Sequence, residues 1–135
     1  MNRFEAAVTR IQSHEAVSSI DFMIDDHRLK MIGLELPQGL KEQDRVEIGV
    51  KATHLLLCRS LPEGLTISNV LPVVIREIDH GSILASVQMD FGGRTMEAIL
   101  PEETLRKTAI SIGEKAFVLF QASELSILRI LGGKA

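Results

Sequence analysis

The stretch FEAAV at residues 4–8 aligns with LPVVI at residues 71–75, with apolar residues at four of the five positions in each, and this alignment indicates how the chain is organised. Between these two stretches the sequence is shifted by 67 positions, from 4 to 71. Toward the end of each copy the shift is 70, so that VKAT at residues 50–53 corresponds to FQAS at residues 120–123. Apolar positions that recur at such a fixed distance indicate a duplicated structural unit.

The duplication predicts two units, one over residues 1–62 and one over residues 63–135. A turn sequence at residues 60–64, which contains Pro-Glu-Gly, joins them. The change of shift from 67 to 70 predicts three additional residues in the second copy. Because the two shifts apply on either side of residues 100–112, the additional residues are expected within that segment.

Each copy consists mainly of short runs that favour β-strands. Branched and alternating apolar residues occupy these runs, and turn residues such as those at 25–27 and 92–94 separate them. The predicted strands cover residues 7–11, 16–24, 29–34 and 46–57 in the first copy and 73–78, 83–91, 95–100 and 116–130 in the second. For the last of these, one long strand and a strand broken in its middle are alternatives. A short helix is predicted over residues 102–107, with Pro101 in its first turn. The expected fold is all-β: two tandem OB-like small β-barrels with one short helix.

Composition excludes several classes of function. The chain of 135 residues is 45% apolar and 24% charged, which is enough to form a buried core. Phe is the only aromatic residue and the net charge is −3, so neither base stacking nor attraction to nucleic acid is expected. No apolar stretch reaches the ~20 residues that span a bilayer, and no signal peptide is recognisable. We expect a cytoplasmic chain that binds neither nucleic acid nor membranes directly.

The sequence offers no motif for catalysis. His14, His27, His54 and His80 lie far apart and lack metal-ligand spacing, and the sequence contains no nucleophile elbow or phosphate-binding glycine loop. Cys58 lies in an apolar run and is expected to be a buried thiol. These observations predict a binding protein that is not an enzyme and has no metal site.

Two polar segments carry hydrogen-bond donors near strand boundaries. They are Lys51-Ala52-Thr53 and the run TISN at residues 66–69. A small tetrahedral dianion is bound by several short donors that converge on its oxygens, such as hydroxyls, backbone N–H groups and one or two cations. Ser-Asn before a strand is also ordinary turn chemistry. The residue types alone therefore leave anion binding and a structural turn as alternatives.

The run PEGLTISNVLP at residues 62–72 resembles the C-terminal accessory domain of molybdate ABC-importer ATPase subunits. In that family, Pro-Glu-Gly is followed by a Ser-x-Arg-Asn-x-Leu-x-Gly pattern. The stretches at residues 50–53 and 120–123 resemble the Lys-Ala-Ser/Thr strand of the same module, the Mop or TOBE domain. This module also occurs in tandem molbindins and in molybdate-responsive repressors. The resemblance covers essentially the whole chain as two such modules.

The resemblance implies a site for molybdate or tungstate between the Ser-x-Arg-Asn loop of one unit and the Lys-Ala-Ser/Thr strand of another. The oxyanion-binding residues that it implies are Lys51, Ala52, Thr53, Thr66, Ser68, Asn69, Gln121 and Ser123. The chain departs from the family pattern where Ser68 replaces the Arg and Gln121 replaces the Lys. Asn2 is available for the Asn position of the first copy, and Arg3 and Arg59 are candidates to replace the missing charge.

The function implied by the resemblance is a cytoplasmic molybdate- or tungstate-binding protein that stores, buffers or senses the ion. The oxyanion is the ligand, and no organic cofactor is expected. Donors from different units imply a homo-oligomer, a dimer or a trimer, with an importer ATPase or a regulator as a further partner. The alternative is a degenerate TOBE module that mediates dimer contacts in an importer or regulator and has lost oxyanion binding. An oligonucleotide-binding barrel is opposed by the acidity and the lack of aromatic residues.

Overall fold

The computed structural model describes residues 1–133, which form ten strands and one α-helix. The strands are β1 Asn2–His14, β2 Val17–Ile24, β3 His27–Gly33, β4 Arg45–Val50, β5 Leu56–Cys58, β6 Asn69–Asp79, β7 Leu84–Phe91, β8 Arg94–Pro101, β9 Lys115–Phe120 and β10 Ser126–Gly132. The helix α1 is Glu102–Thr108, and short 3₁₀ turns at Ala52–His54 and Ala122–Glu124 follow β4 and β9. The all-β prediction with one short helix is confirmed.

The strands form two five-stranded sheets, and each sheet takes one strand from the other copy of the repeat. The strand order is β10-β4-β1-β2-β3 in the first sheet and β5-β9-β6-β7-β8 in the second. At one edge of the first sheet β10 pairs antiparallel with β4, and at one edge of the second β5 pairs antiparallel with β9. In the first sheet β10 is distant in sequence from the other four strands, and in the second sheet β5 pairs with β9, although the strand that follows it in the chain is β6.

The compact units follow the sheets. Among the described residues, the first unit contains residues 3–50, 67–69 and 120–133; the second contains residues 1–2, 51–66 and 70–119. The ranges 1–62 and 63–135 thus describe the sequence repeat, whereas the spatial units draw on both halves. The reason is that the chain passes from one unit to the other at the end of β4 and again at the end of β9.

The predicted strands over residues 46–57 and 116–130 are each two strands. A 3₁₀ turn separates the two parts in both copies, and it keeps the apolar pattern unbroken because Ala52 and Leu55 are buried, as are Ala122 and Leu125. A change of direction that preserves burial leaves no sign in the hydrophobic pattern. The remaining strands form where they are predicted, and β1 and β6 are longer than expected.

Equivalent backbone hydrogen bonds confirm the repeat and its three additional residues. The Val8 N–H donates to the carbonyl of Asp44 over 2.8 Å, and the Ile75 N–H donates to the carbonyl of Glu114 over 2.9 Å. Val8 and Ile75 are 67 positions apart, whereas Asp44 and Glu114 are 70 apart. The additional residues therefore lie in the segment that contains α1. In this segment Pro101 is the last residue of β8 and precedes the helix instead of lying in its first turn.

Alternating side chains fill the core of each unit. The strands β2 and β7 have the same pattern of alternating burial, as expected for strands with one face packed and one face solvated. Phe22 and Ile20 in β2 are inaccessible to solvent, as is Val87 in β7. The duplicated apolar pattern thus supplies a separate core to each sheet.

Candidate functional site

Asn69 lies at the start of β6, is completely buried, and bonds the backbone of an edge strand. Its Oδ1 accepts from the Lys30 N–H over 2.7 Å, and its Nδ2 donates to the Lys30 carbonyl over 2.9 Å. Lys30 lies on β3, the last strand of the first sheet. The side-chain amide therefore occupies the open edge of β3 as a neighbouring strand would.

Asn2 repeats this arrangement at the edge of the second sheet. Its Oδ1 accepts from the Glu97 N–H over 2.7 Å, and its Nδ2 donates to the Glu97 carbonyl over 2.9 Å. Glu97 lies on β8, the edge strand that corresponds to β3. The structure thus gives Asn2 the same place in its unit that Asn69 has in the other, and both edges are closed by an asparagine.

The 3₁₀ turns bring the second set of predicted donors to the same edge strands. The turn at Ala52–His54 lies against β8, and the turn at Ala122–Glu124 lies against β3. In each turn the alanine is buried, while the residues on either side of it, Lys51 and Thr53 or Gln121 and Ser123, are exposed. The alanine anchors the turn, and the polar side chains remain accessible to a ligand.

The edge strands thereby gather two groups of candidate residues. The β8 group contains Asn2, Lys51, Ala52 and Thr53, and the β3 group contains Ser68, Asn69, Gln121 and Ser123. Thr66 and Ser68 are exposed in the loop before β6; residue 66 belongs to the second unit and residue 68 to the first. Within each unit, Asn69 is thus associated with the turn that contains Ser123, and Asn2 with the turn that contains Thr53.

Ser123 of the β3 group lines an open cleft of about 440 Å³. Its walls are residues 31–33 of β3, the loop at residues 35–37, Ser123 and residues 125–127. The lining thus includes two serines, Ser123 and Ser126, together with apolar residues such as Ile32. The cleft is wide enough for a small ion and its hydration shell.

The two groups differ in the charge that lies next to the asparagine. In the first sheet Lys30 stands opposite Asp21, and its Nζ bonds the Asp21 carboxylate over 2.7 Å and the Ser19 hydroxyl over 3.2 Å. In the second sheet Glu97 stands opposite Gln88, and its carboxylate accepts from the Ser86 hydroxyl over 2.6 Å. The sequence prediction did not include Lys30 or Glu97, because strand register, which places them beside the asparagines, is not visible in the periodicity.

The two arginines considered as substitutes for the missing charge are bound to other groups. Arg3 pairs with Glu47 over 3.7 Å. Arg59 pairs with Glu114 and donates to the carbonyls of Thr108 and Ala109 over 3.0 Å each, so that it caps the C-terminal end of α1. The hydrogen bond to Glu114 raises the pKa of Arg59 and lowers the pKa of Glu114.

Another ionic cluster surrounds Glu102 at the start of α1. Burial raises the pKa of the Glu102 carboxyl, but the hydrogen bond from His80 and the charge of Arg106 leave that pKa below its ordinary value. His80 Nδ1 lies 2.9 Å from this carboxylate and the Gly81 N–H donates to it over 3.1 Å. The cluster connects the β6–β7 turn to α1, and its contacts are internal to the second unit.

Other candidate chemistry is limited in the part of the chain that the structure describes. Among residues 1–133 no three His, Cys, Asp or Glu side chains cluster as metal ligands would. Cys58 is half-buried instead of fully buried as expected, and burial raises the pKa of its thiol. In the same residues, no helix has the length and apolar character needed to cross a membrane.

Residues 65–127 match the TOBE domain. The chain contains a TOBE domain. It is 30% identical over 106 residues to the molybdenum import ATP-binding protein ModC of Brucella abortus (strain 2308) and to the same protein of Brucella suis biovar 1 (strain 1330). In each case the match covers 72% of this chain and 30% of the relative. The TOBE-domain chain thus corresponds to about a third of the length of these relatives, and the resemblance drawn from its sequence is confirmed.

A solved structure has the same fold over nearly the whole length. It is that of the cytoplasmic molybdate-binding protein ModG with molybdate bound, and it superposes with a TM-score of 0.87. The match covers 99% of the TOBE-domain chain and 96% of ModG, at 21% sequence identity. This likeness confirms the tandem OB-like fold predicted from the sequence.

Proposed function

We propose that this TOBE-domain protein binds molybdate or tungstate in the cytoplasm and stores, buffers or senses the ion without catalysing a reaction. The proposal is supported by the fold that the chain shares with a cytoplasmic molybdate-binding protein and by its similarity to a molybdenum import ATP-binding protein. The ligand is the oxyanion itself, and no organic cofactor takes part. Selectivity then depends on the size of the site and the geometry of its donors.

The observation that carries the proposal is the composition of the β8 group. The ammonium of Lys51 and the hydroxyl of Thr53 are exposed on either side of a buried alanine, in a turn that lies against the edge strand held by Asn2. A cation and a hydroxyl at fixed spacing are donors suited to the oxygens of a tetrahedral dianion. The β3 group repeats the hydroxyl at Ser123 and has the neutral Gln121 in place of the lysine. We therefore assign the tighter binding to the β8 group.

The polar turn residues of both groups are exposed, and we propose that a second copy of the chain completes each site, in a dimer or trimer. Binding then stabilises the assembly, because the ion has its full set of contacts only there. An importer ATPase or a regulator is a further proposed partner. The degenerate module that does not bind oxyanions is less favoured, because Lys51, Thr53 and both asparagines retain the residue types and positions that a site requires.

Isothermal titration with molybdate, tungstate and sulfate tests the proposal. We expect saturable binding of the first two ions and poor competition by sulfate. Lys51→Ala removes a charged hydrogen bond, which contributes roughly 1.5–3 kcal/mol, so the affinity should fall about tenfold to a hundredfold. Lys107→Ala is the matched control, because Lys107 is an exposed lysine on α1 that pairs with Glu103. Absence of saturable binding of either metal oxyanion by the intact protein would contradict the proposal.

A further inference from the structure

Asn69 has little hydrogen-bonding capacity left for a ligand. The side-chain amide has one acceptor oxygen and two N–H donors. The oxygen accepts from Lys30 and one Nδ2 hydrogen is donated to Lys30, while the side chain itself is completely buried. A group committed in this way to the edge of a strand can give an anion one hydrogen at most. Its larger effect is on the position of the chain around it.

The same pair of hydrogen bonds between an asparagine side chain and the backbone of an edge strand occurs twice in the chain, through the same atoms. The bonds of Asn2 to Glu97 have the same donors, the same acceptors and the same lengths, 2.7 and 2.9 Å, as those of Asn69 to Lys30. The residues that are held have side chains of opposite charge. In both sites, therefore, the asparagine bonds the backbone of the edge-strand residue, and the side chain of that residue takes no part in the contact.

Each held strand also supports the turn that carries the candidate donors. The strand β3 contacts the turn at Ala122–Glu124, and β8 contacts the turn at Ala52–His54. The asparagine begins the next strand and directly follows the loop residue Ser68 in one case. Fixing Asn69 to β3 thus fixes Ser68 relative to the strand on which the Ser123 turn rests. Hydroxyls from two distant segments acquire a defined separation in this way.

We propose that Asn69 and Asn2 are positioning residues: each fastens the start of a strand to the edge of β3 or β8 and thereby sets the geometry of the oxyanion donors. This inference rests on the proposed function, since it concerns the same sites. It assigns direct contact with the ion to the neighbouring hydroxyls, the turn residues and Lys51. Removing an asparagine then alters affinity through the loss of alignment.

The experiment combines backbone hydrogen exchange of the anion-free protein, measured by NMR, with tungstate titration. In Asn69→Ala the Lys30 amide should exchange at least about tenfold faster while the Glu97 amide is unchanged, because one backbone hydrogen bond is lost at one edge only. Asn2→Ala should show the reverse. Tungstate affinity at the altered group should fall about tenfold. Thr9→Ala is the control, because it removes a side-chain bond to the backbone of Asp21 on the same sheet.

A double-mutant cycle separates positioning from direct contact. If Asn69 aligns Ser123, then Ser123→Ala should weaken binding in the wild-type protein and have little further effect in Asn69→Ala. A loss of affinity without faster Lys30 exchange would overturn the inference in favour of a direct ligand. Faster exchange with unchanged affinity would overturn it in favour of a purely structural role.

The inference can still be tested if Asn69→Ala does not fold or if the wild-type protein does not bind the ions. Should Asn69→Ala not fold, Asn69→Asp retains the acceptor for the Lys30 N–H while losing the donor, and the more peripheral Asn2→Ala gives the same readouts at the other edge. If the wild-type protein binds neither tungstate nor molybdate, the proposed function is wrong, and the asparagines have no oxyanion donors to position. In that case the Lys30 and Glu97 exchange rates still show whether the asparagines hold the edges.

Discussion

The two units share one backbone plan and differ in the polar residues that it carries. In both units an asparagine holds an edge strand, a 3₁₀ turn rests on that strand, and a strand from the other copy completes the sheet. The second unit has Lys51 in its turn and Glu97 on its edge strand, whereas the first has Gln121 and Lys30. The buried apolar positions are similar in the two units because they pack the same kind of core. The exposed positions do not take part in that packing, and their residue types differ.

The same contrast appears around α1, which only the second copy possesses. Arg59, after β5, caps α1 and binds Glu114, whereas the equivalent Arg129 in β10 pairs with Glu47 over 3.5 Å. Glu114 itself corresponds to Asp44, and the two carboxylates accept from the Ser111 and Lys41 N–H groups over 3.0 and 2.9 Å. Side chains at equivalent positions thus make the same hydrogen bonds within their turns. Their ion-pair partners differ between the two copies, because different segments lie next to them.

The largest expected effect comes from removing β10. Ending the chain after Leu125 deletes a strand of the second copy, yet we expect the first sheet to lose stability, because β10 pairs with β4. Four half-buried aliphatic side chains at about 1 kcal/mol each give a loss of roughly 4 kcal/mol. Hydrogen exchange should show faster exchange of β4 amides and unchanged exchange in β7 and β8. A chain ending after Gly132 is the control.

The opposite pattern of exchange would contradict this division into units. If the shortened chain lost protection in β7 and β8 and kept it in β4, the contiguous ranges 1–62 and 63–135 would describe the folding units as well as the repeat.

An intermediate effect is expected from making the two turns alike. Gln121→Lys gives the β3 group the cation that the β8 group has at Lys51, and it exchanges a neutral hydrogen-bond donor for a charged one. The difference of about 1 kcal/mol corresponds to an affinity gain of about fivefold at that group. Titration with tungstate should resolve the gain as a second tight step. Gln121→Met, of similar length and without charge, is the control; equal affinities for the two variants would show that residue 121 does not face the ion.

The smallest effect concerns stability in acid. Because Arg59 lowers the pKa of Glu114 below its ordinary value of 4.5, the unfolded state binds a proton more readily than the folded state. The contribution of Glu114 is therefore complete above pH 4.5 and disappears as the pH falls through that value toward the lower pKa of the folded protein. Glu114→Gln should flatten the acid decline of Tm between about pH 7 and about pH 3.

Glu103→Gln is the control for this measurement, since Glu103 is an exposed carboxylate whose partner Lys107 is exposed as well. A decline as steep in Glu114→Gln as in the wild type would mean that the ion pair with Arg59 does not contribute to acid stability.

Much of the fold was predictable because it depends on local patterns. The repeat, most strands, the three additional residues and the short helix all follow from spacing and residue type, and the structure confirms them. Residues 46–57 were predicted as one strand and form two. For residues 116–130 a break was one of the alternatives, and the structure contains it. Both turns keep Ala and Leu buried while the chain changes direction, so the hydrophobic pattern continues across them.

The candidate site was predictable in its segments and not in its pairing. The segments at 51–53, 66–69 and 121–123 were proposed as donor segments on the basis of a family resemblance. The contacts of Asn69 with Lys30 and of Asn2 with Glu97 involve the backbone of the partner, which leaves no sequence signature. Arg3 and Arg59, the two candidates for the missing charge, are each paired with a carboxylate in their own unit, and the sequence gives no sign of these pairings.

By itself the sequence determined a duplicated all-β fold and the segments that carry the proposed anion donors. These features depend on the alternation of side chains along one strand and on the residue types within a few positions. Only the tertiary structure decided which strand completes each sheet and which donor segments share an edge. Such pairings form between backbone groups far apart in the chain, and backbone groups are chemically the same whatever side chain they carry.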